Sequence, residues 1–213
     1  ICWRKQIVNK KPSFKEEKNY WEEGILNVIG LDEVGRGAFA GPIVAAGVIY
    51  KPNANHLFLR KVNDSKLINP KLREELSFEI KKHSVWVIEE VSIGFINKFG
   101  IGKANKEVLK KVIYKLISKL NSENYYILVD GFDLKIKKQK PIIKGDGISL
   151  SIASASIIAK VYRDNLMIKL HGEFPYYNFL KNKGYGTKFH RDALKTHGLS
   201  KIHRTSFKLK KFL

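Results

Sequence analysis

The stretch Ile29-Gly-Leu-Asp-Glu-Val-Gly-Arg-Gly-Ala-Phe-Ala-Gly-Pro-Ile-Val-Ala-Ala46 sets the interpretation of this sequence. Its first part is apolar and β-branched, which predicts a strand that ends near Asp32–Glu33. The segment Gly35-Arg36-Gly37 follows and predicts a loop, because glycine adopts backbone conformations that other residues avoid. The run Ile43–Tyr50 is almost continuously apolar and predicts a strand buried on both faces. Two acidic residues therefore stand where a buried strand meets a glycine-rich loop.

Outward from this stretch, hydrophobic periodicity predicts alternating helices and strands. Asn69 and Pro70 form a cap and a first-turn proline, which predicts a helix to about Lys82. The further expected elements are strands at Val85–Val91 and Tyr125–Val129, helices at Lys103–Leu120 and Ser149–Leu170, and a basic hairpin or loop over Lys135–Lys144. Residues 1–24 are expected as an N-terminal arm or short helix, and residues 25–213 as one domain. Strands first, then alternating helix and strand, predict a mixed sheet flanked by helices.

The charge of the chain points to a polyanionic partner. Its 213 residues carry 40 Lys and Arg against 20 Asp and Glu, a formal charge of +20 at pH 7. Residues 181–213 hold ten Lys and Arg with one acid, and residues 134–144 hold five Lys with none. Nucleic acid explains such blocks, because each phosphate that meets a Lys or Arg releases condensed counterions. A lysine-rich source genome is the alternative, and a membrane surface fits less well because the tail lacks a long apolar face.

The same composition disfavours several classes of protein. The apolar run Ile43–Tyr50 is far too short to cross a bilayer. The N-terminus lacks an apolar segment of the signal-peptide type, so secretion is not supported. The single cysteine, Cys2, excludes an internal disulfide framework and a zinc site built from thiolates. A cytoplasmic location is the default expectation.

Acidic residues at the ends of apolar elements are the anomaly in so basic a chain. A carboxylate there repels phosphate and costs free energy to bury. The candidates end two predicted strands and occupy a loop before the helix rich in small residues: Asp32, Glu33, Asp130 and Asp146. Divalent metal binding explains the set, because Mg²⁺ and Mn²⁺ prefer carboxylate oxygens and keep positions open for phosphate. Two such ions can activate a water and stabilise the leaving oxygen of a phosphodiester.

Each acid also has a structural alternative. A strand-end Asp before Gly is often a turn residue that bonds its own backbone. Asp164 is a rival fourth ligand, but the predicted helix would put it roughly 27 Å from Asp146, so we expect Asp164 in an ion pair. Neighbours on a regular strand point to opposite faces, so Asp32 and Glu33 share a site only if the strand ends or bulges there. Gly35 makes such an irregularity plausible.

Five motifs in one register identify a family. After residues 29–46 come Asp64-Ser65-Lys66, Val129-Asp130-Gly131, Lys144-Gly145-Asp146 with Ala153–Asp164, and Lys183–His190, and the ending His203–Phe207 is of the same kind. Together they resemble the ribonuclease HII family, the prokaryotic type 2 ribonucleases H, over about residues 26–208. Five motifs in order are far more specific than one short pattern.

The resemblance implies a ribonuclease H-like α/β fold, with a mixed five-stranded sheet flanked by helices and an extra helical segment at the C-terminus. It implies an endoribonuclease that uses Mn²⁺ or Mg²⁺ and cleaves the RNA strand of RNA/DNA hybrids. It also implies nicking at ribonucleotides embedded in duplex DNA, with 5′-phosphate and 3′-hydroxyl products. The family's catalytic and metal-binding roles carry over to four residues: Asp32, Glu33, Asp130 and Asp146.

The resemblance also implies contacts with nucleic acid. Gly35, Arg36, Gly37 and Tyr185 would sense the 2′-hydroxyl at the RNA–DNA junction, and Ser65 and Lys66 would contact phosphates. Further residues could hold phosphates on charge alone, or could equally be ordinary surface residues: Lys160, Arg163, Lys183, Lys188 and His190.

Other interpretations stay open at this point. A non-catalytic hybrid-binding protein explains the charge but not the placement of the acids. The type 3 ribonucleases H carry a large extra N-terminal domain, for which 24 residues leave no room. The tail Phe207–Leu213 could make a weak contact with a replication clamp, although a basic end that grips DNA fits its charge better. We expect a monomer, because no unpaired apolar element is evident.

Overall fold

In the computed structural model, which describes residues 11–213, the strands form one mixed sheet of five. The first ten residues of the predicted arm, with Cys2, lie outside this range. The strands are β1 (Asn27–Val34), β2 (Ile43–Ile49), β3 (Val85–Val91), β4 (Tyr125–Asp130) and β5 (Gln139–Ile142). Their order is β3-β2-β1-β4-β5, antiparallel from β3 to β1 and parallel from β1 to β5. The predicted fold class is therefore confirmed.

Helices cover both faces of this sheet and extend beyond one end of it. They are α1 (Lys15–Glu22), α2 (Pro70–His83), α3 (Ile93–Phe99), α4 (Ile101–Leu120), α5 (Leu150–Glu173), α6 (Phe179–Asn182) and α7 (Lys188–His197). Single 3₁₀ turns occupy Leu57–Lys61, Gly145–Gly147, Pro175–Tyr177, Thr205–Phe207 and Leu209–Phe212. The Asn69 side chain accepts a hydrogen bond from the Leu72 N–H at 2.9 Å, so the predicted cap of α2 is confirmed.

Two stretches differ from the sequence prediction. The segment Lys135–Lys144 is neither a hairpin nor a plain loop, because its second half forms β5 in parallel register with β4. In β5 the middle residues Lys140 and Pro141 are exposed and only Ile142 is buried, so this edge strand shows no apolar pattern. The helix α3 was not predicted, since its seven residues are too few for a clear period.

The core consists of two layers, one on each face of the sheet. Helix α4 packs on the face that includes Ile29 and Leu31, and α5 packs on the opposite face. Gly30 allows the close approach of α5, since a Cβ there would stand only 2.2 Å from the Ser151 carbonyl carbon. The small residues at the start of α5 therefore let the helix lie directly on β1, as their pattern predicts.

The N-terminal segment is attached to the start of α5. Ser13 pairs with Ser149 as an isolated β-bridge, through Ser13 N–H to Ile148 O at 3.0 Å. Glu17 of α1 is fully buried and accepts hydrogen bonds from the Ser149 hydroxyl at 2.6 Å and the Ser151 N–H at 2.9 Å. A side chain of α1 therefore accepts a hydrogen bond from a free N–H in the first turn of α5 and helps to cap that helix.

The C-terminal segment forms a smaller apolar cluster with the far end of α5. Met167, Phe179 and Leu194 are fully buried in it. The tail lies against this segment: Leu209 is buried, and the Phe212 ring stacks on Phe39 with centroids 5.5 Å apart. Within residues 11–213, each helix is too short or too polar to span a bilayer.

Candidate active site

Two adjacent strands bring two carboxylates to the same end of the sheet, where both strands have their C-termini. Strands β1 and β4 run parallel with Leu31 opposite Val129. The residues that follow are Asp32 and Asp130, so both carboxylates leave the sheet at neighbouring positions, in strands about 4.8 Å apart. The loops that follow parallel strands converge at this end of the sheet, which is the usual place for a functional site in such folds.

Asp32 and Glu33 leave β1 on opposite faces. The pairing of β1 with β2 continues residue by residue to Val34 opposite Val44, and the strand ends there, one residue after Glu33. Asp32 faces Ser156 of α5, whereas Glu33 faces Asn105 of α4. Both side chains nevertheless line one pocket together with Asp130.

The remaining acids come from β4 and the turn Gly145–Gly147. The Asp130 carboxylate accepts a hydrogen bond from the Gly145 N–H at 2.6 Å. Asp146, the next residue, is buried, and its Oδ2 lies 3.5 Å from Lys66 Nζ. Asp164 instead pairs with Lys160 at 2.8 Å and Arg73 at 3.5 Å, so the expected ion pair is confirmed.

Burial and mutual repulsion act on these acids. Burial, followed by repulsion from Glu33, raises the pKa of Asp32 well above its ordinary value. Burial raises the pKa of Glu33 to about 7, against the opposing effect of Arg36. Burial also raises the pKa of Asp130, although the Gly145 hydrogen bond favours its anion. The surrounding protein thus offers too few positive charges and hydrogen bonds to balance these carboxylates. A bound cation would stabilise their anionic forms.

Polar atoms at Glu33 and Asn105 that lack hydrogen-bond partners in the described part of the chain also indicate that the site can accommodate a further polar group, such as a cation with its water ligands. Glu33 Oε2 and both polar atoms of the Asn105 side chain are buried and find no hydrogen-bond partner among residues 11–213. In that range, no group of three or more His, Cys, Asp or Glu side chains is arranged to hold one metal ion. The donors are hard oxygens that suit Mg²⁺ or Mn²⁺, whose coordination is commonly completed by water and substrate phosphate.

A pocket of about 460 Å³ joins most of the predicted site residues. Its lining includes Asp32, Glu33, Gly35, Arg36, Gly37, Ser65, Lys66, Asp130, Lys160 and Tyr185. Ser156, which the sequence analysis missed, is also in the lining and hydrogen-bonds the Ser65 hydroxyl at 2.9 Å. Asp146 is adjacent through Lys66. Lys183 and Lys188 are not among the lining residues.

Two buried arginines hold the loop after β1. Arg163 donates to the carbonyls of Pro42, Lys183 and Ala40 at 2.9–3.1 Å. Arg204 donates to the carbonyls of Gly41, Gly35 and Arg36 at 2.7–3.1 Å. Both side chains are fully buried, so the expectation that Arg163 could hold a phosphate is wrong.

Gly35 fits into this framework only because it lacks a side chain. Its φ is +90°, and a Cβ would stand 2.2 Å from Arg163 Nε. Arg36 points outward and lies 3.9 Å from Glu33, so it partly neutralises that acid. The loop is therefore held by its backbone while its outer residues stay exposed.

Tyr185 closes the opposite side of the pocket. It forms an isolated β-bridge with Ala38 of the loop. Its ring centroid lies 5.9 Å from Lys160 Nζ and 5.4 Å from Arg163 Cζ. His190 is fully buried behind it and bonds the Tyr185 carbonyl, so the expectation that His190 could hold a phosphate is also wrong.

Sequence signals existed for some of the missed residues. Asn105 is a polar residue on the apolar stripe of α4, in helical register with Val108, Leu109 and Val112, which are all buried. Ser156 lies within the small-residue stretch of α5, where nothing in the pattern separates it from its neighbours.

A model of the family described as Ribonuclease HII matches residues 29–210. The chain belongs to the ribonuclease HII family. It is 44% identical over 211 residues to the ribonuclease HII of Caldanaerobacter subterraneus subsp. tengcongensis, covering 97% of this chain and 84% of that protein. It is 46% identical over 192 residues to the ribonuclease HII of Fusobacterium nucleatum, covering 88% and 87%.

Solved structures show the same fold. The ribonuclease HII in the PCNA:RNase HII complex from Archaeoglobus fulgidus gives a TM-score of 0.68 at 29% identity, over 85% of this chain and 93% of that one. Bst-RNase HIII in complex with Mn²⁺ gives 0.73 at 20% identity, over 91% and 70%, a likeness of fold. As a ribonuclease HII, this protein is an endoribonuclease, a hydrolase of the ribonuclease H class that acts on RNA/DNA hybrids.

Proposed function

We propose that this ribonuclease HII cleaves the RNA strand of hybrids and also nicks duplex DNA at single embedded ribonucleotides, leaving 5′-phosphate and 3′-hydroxyl ends. The observation that carries the proposal is the pocket itself, where undercompensated carboxylates meet a backbone-held glycine loop and a tyrosine. Acids in so basic a chain would otherwise oppose substrate binding. Incision at a ribonucleotide would open its removal from DNA by excision repair.

We propose Asp32, Glu33, Asp130 and Asp146 as the residues that hold divalent cations. Two bound Mg²⁺ or Mn²⁺ ions would supply an activated water and stabilise the leaving oxygen. A hydrogen bond from Ser156 favours the anion of Asp32 against the larger effect of burial, and the Gly145 N–H likewise favours the anion of Asp130. Lys66 lies beside Asp146 and is 77% exposed, so it can turn towards a substrate phosphate.

Recognition of ribose is assigned to the opposite side of the pocket. RNA differs from DNA by the 2′-hydroxyl, which a protein must approach from the minor groove. Gly35 and Gly37 would let the backbone amides and carbonyls of the loop reach that hydroxyl, and Tyr185 offers a flat ring and a phenol. Arg36 is exposed at the tip of the same loop.

Phosphate contacts are proposed along a track from the pocket to α7. Lys66 and Lys160 line the pocket, and Lys183 and Lys188 flank Tyr185 in the chain. Ser65 is 3% exposed with its hydroxyl bonded to Ser156, so it would reach phosphate only after a rearrangement. Each lysine that meets a phosphate would steepen the dependence of affinity on salt.

The tail is proposed to grip DNA rather than a partner protein. The Archaeoglobus fulgidus relative was solved with PCNA, so a weak contact with a replication clamp remains an alternative for residues 207–213. Here, however, Phe212 stacks on Phe39 and Leu209 is buried, while the lysines at 208, 210 and 211 are exposed. We propose a monomer on the duplex, with nucleic acid as its partner.

A nicking assay with two substrates tests the function. A labelled DNA duplex with one ribonucleotide and a full RNA/DNA hybrid are each incubated with Mn²⁺, with Mg²⁺, or with EDTA. Mn²⁺ is the first choice because it is the ion in the Bst-RNase HIII structure. We expect strand cleavage that requires the cation, with end groups identified by ligation and by phosphatase treatment.

Controls separate this function from simple hybrid binding. Asp32→Asn should bind the duplex and leave it intact, and Glu107→Gln on α4, outside the pocket, should cleave like the native chain. Binding that falls with salt but never leads to cleavage would support the non-catalytic alternative. If the enzyme cleaves the hybrid but not the duplex with one ribonucleotide, the proposed nicking at embedded ribonucleotides is wrong.

A further inference from the structure

Two buried histidines lie directly behind the Tyr185 side of the pocket, and the mechanism above does not use them. His190 and His203 are 0% and 1% exposed. Their Nε2 atoms lie 3.0 Å apart. The rings of Tyr177 and Phe179 pack around both histidines edge-on or tilted. A polar pair inside an apolar cluster must be fully hydrogen-bonded to be tolerated.

The partners of the outer nitrogens fix the position of every proton. His190 Nδ1 lies 2.9 Å from the Tyr185 carbonyl, which can only accept, so Nδ1 carries a proton. His203 Nδ1 lies 2.9 Å from the Ser200 N–H, which can only donate, so this nitrogen is unprotonated. A neutral His203 therefore donates from Nε2 to the bare Nε2 of a neutral His190. The result is a one-way chain from Ser200 to Tyr185.

The histidine pair is connected to both groups proposed to recognise ribose. Through His190 it ends on the Tyr185 carbonyl, which also accepts from the Thr187 N–H at 2.8 Å. His203 forms an isolated β-bridge with Ala40. The next residue is Arg204, whose guanidinium holds the carbonyls of Gly35 and Arg36. The two histidines thus connect the tyrosine with the glycine loop.

We propose that His190 and His203 are positioning residues, which set the distance between Tyr185 and the Gly35-Arg36-Gly37 loop so that one ribose fits between them. The inference rests on the proposed recognition of ribose by those two elements. Direct contact with substrate is excluded for this pair by its burial. Its effect should therefore appear in turnover at a single ribonucleotide, where few other contacts with RNA exist to hold the substrate.

Paired variants of His203 provide the test. His203→Asn keeps an acceptor for the Ser200 N–H but is too short to reach His190, whereas His203→Gln places an amide N–H near the position of Nε2. We expect His203→Asn to lower kcat at a single embedded ribonucleotide about tenfold with little change in KM. His203→Gln should keep most of the native kcat. The matched control is His197→Asn, an exposed histidine at the end of α7.

A double-mutant cycle separates positioning from general damage. In a Tyr185→Ala background the ring is already missing, so His203→Asn should lower kcat by less than about threefold. Equal losses in both backgrounds, or no loss in either, would overturn the inference. A native chain that cleaves no ribonucleotide would instead overturn the proposed function.

Histidine ¹⁵N spectra of the native chain provide a readout that needs no variant. The expected pattern is a proton on Nδ1 of His190 and on Nε2 of His203. If either ring is charged at pH 7, or carries its proton on the other nitrogen, the one-way chain does not exist. This measurement tests the hydrogen-bond chain on which the inference rests even if His203→Asn fails to fold, and a different proton pattern overturns the inference.

Discussion

The Asp130 carboxylate and the Gly145 backbone are joined by a hydrogen bond of 2.6 Å. This contact ties the end of β4 to the turn that carries Asp146, 16 residues further along the chain. Repulsion from both of these acids adds to the effects that raise the pKa of Asp32. Segments far apart in sequence thus form one electrostatic unit, in which a change at one acid is felt by the others.

The substitution Asp130→Asn should remove activity and preserve the fold. Its amide oxygen can still accept from Gly145, but it no longer offers an anionic oxygen to a cation. We expect kcat on a hybrid to fall at least about 100-fold, measured in Mn²⁺. Affinity for the hybrid in EDTA, measured by fluorescence anisotropy, should stay equal or increase, because a negative charge has gone. A parallel loss of affinity would mean that Asp130 mainly supports structure.

The strands and the acids could be predicted because both are local signals. The apolar runs of β1 and β4 stop at Asp32 and Asp130, and a parallel arrangement brings those ends together. The capped start of α2 is likewise local. Such features depend on neighbours within a few residues, which a single sequence displays directly.

The supports of the site could not be predicted, because their partners are distant in the chain. Arg163 reaches carbonyls at positions 40 and 42, and Arg204 reaches position 35. Basic side chains that bind backbone carbonyls look identical in sequence to those that await phosphate. Burial separates the two roles, and periodicity alone does not reveal the burial of an arginine.

Asp32→Asn should stabilise the chain in the absence of metal. Asp32 is buried with its pKa raised, so its anion is less stable in the folded chain than in the unfolded one. In EDTA at pH 8 we expect the free energy of unfolding in urea to rise by about 1–2 kcal/mol. The gain should shrink as the pH falls towards 4, where the unfolded chain also protonates Asp32.

Metal should reduce this difference. At 100 times its dissociation constant, a cation that binds the folded native chain adds about 2.7 kcal/mol, whereas Asp32→Asn should gain less. Lys110→Gln, an exposed change on α4, is the matched control and should follow the native chain. If Asp32→Asn is less stable than the native chain in EDTA, Asp32 is a structural residue and not a strained ligand.

Gly35→Ala should damage the loop after β1. A φ of +90° disfavours any side chain, and the new Cβ would meet Arg163 Nε at 2.2 Å. We expect unfolding to require at least about 1–2 kcal/mol less free energy, together with loss of nicking at a single ribonucleotide. Chemical denaturation and the nicking assay measure the two effects separately.

Gly37→Ala is the stability control for that change. A Cβ at position 37 would find nothing within 4 Å. Its free energy of unfolding should therefore stay within about 0.5 kcal/mol of the native value. Equal destabilisation by the two substitutions would show that the Arg163 contact does not restrict Gly35.

Acidification should destabilise the chain through His203. Burial, aided by repulsion from His190, lowers the pKa of His203 to about 4 from its ordinary 6.5. Between these values the unfolded chain binds a proton that the folded chain refuses, so the free energy of unfolding falls as the pH falls. From pH 7.5 to pH 5.0 this histidine alone should remove about 2 kcal/mol. Urea unfolding at both pH values should show a smaller loss for His203→Gln than for the native chain, and the native loss for His197→Asn. Equal losses for all three proteins would place the acid sensitivity elsewhere and indicate that His203 titrates alike in the folded and unfolded chain.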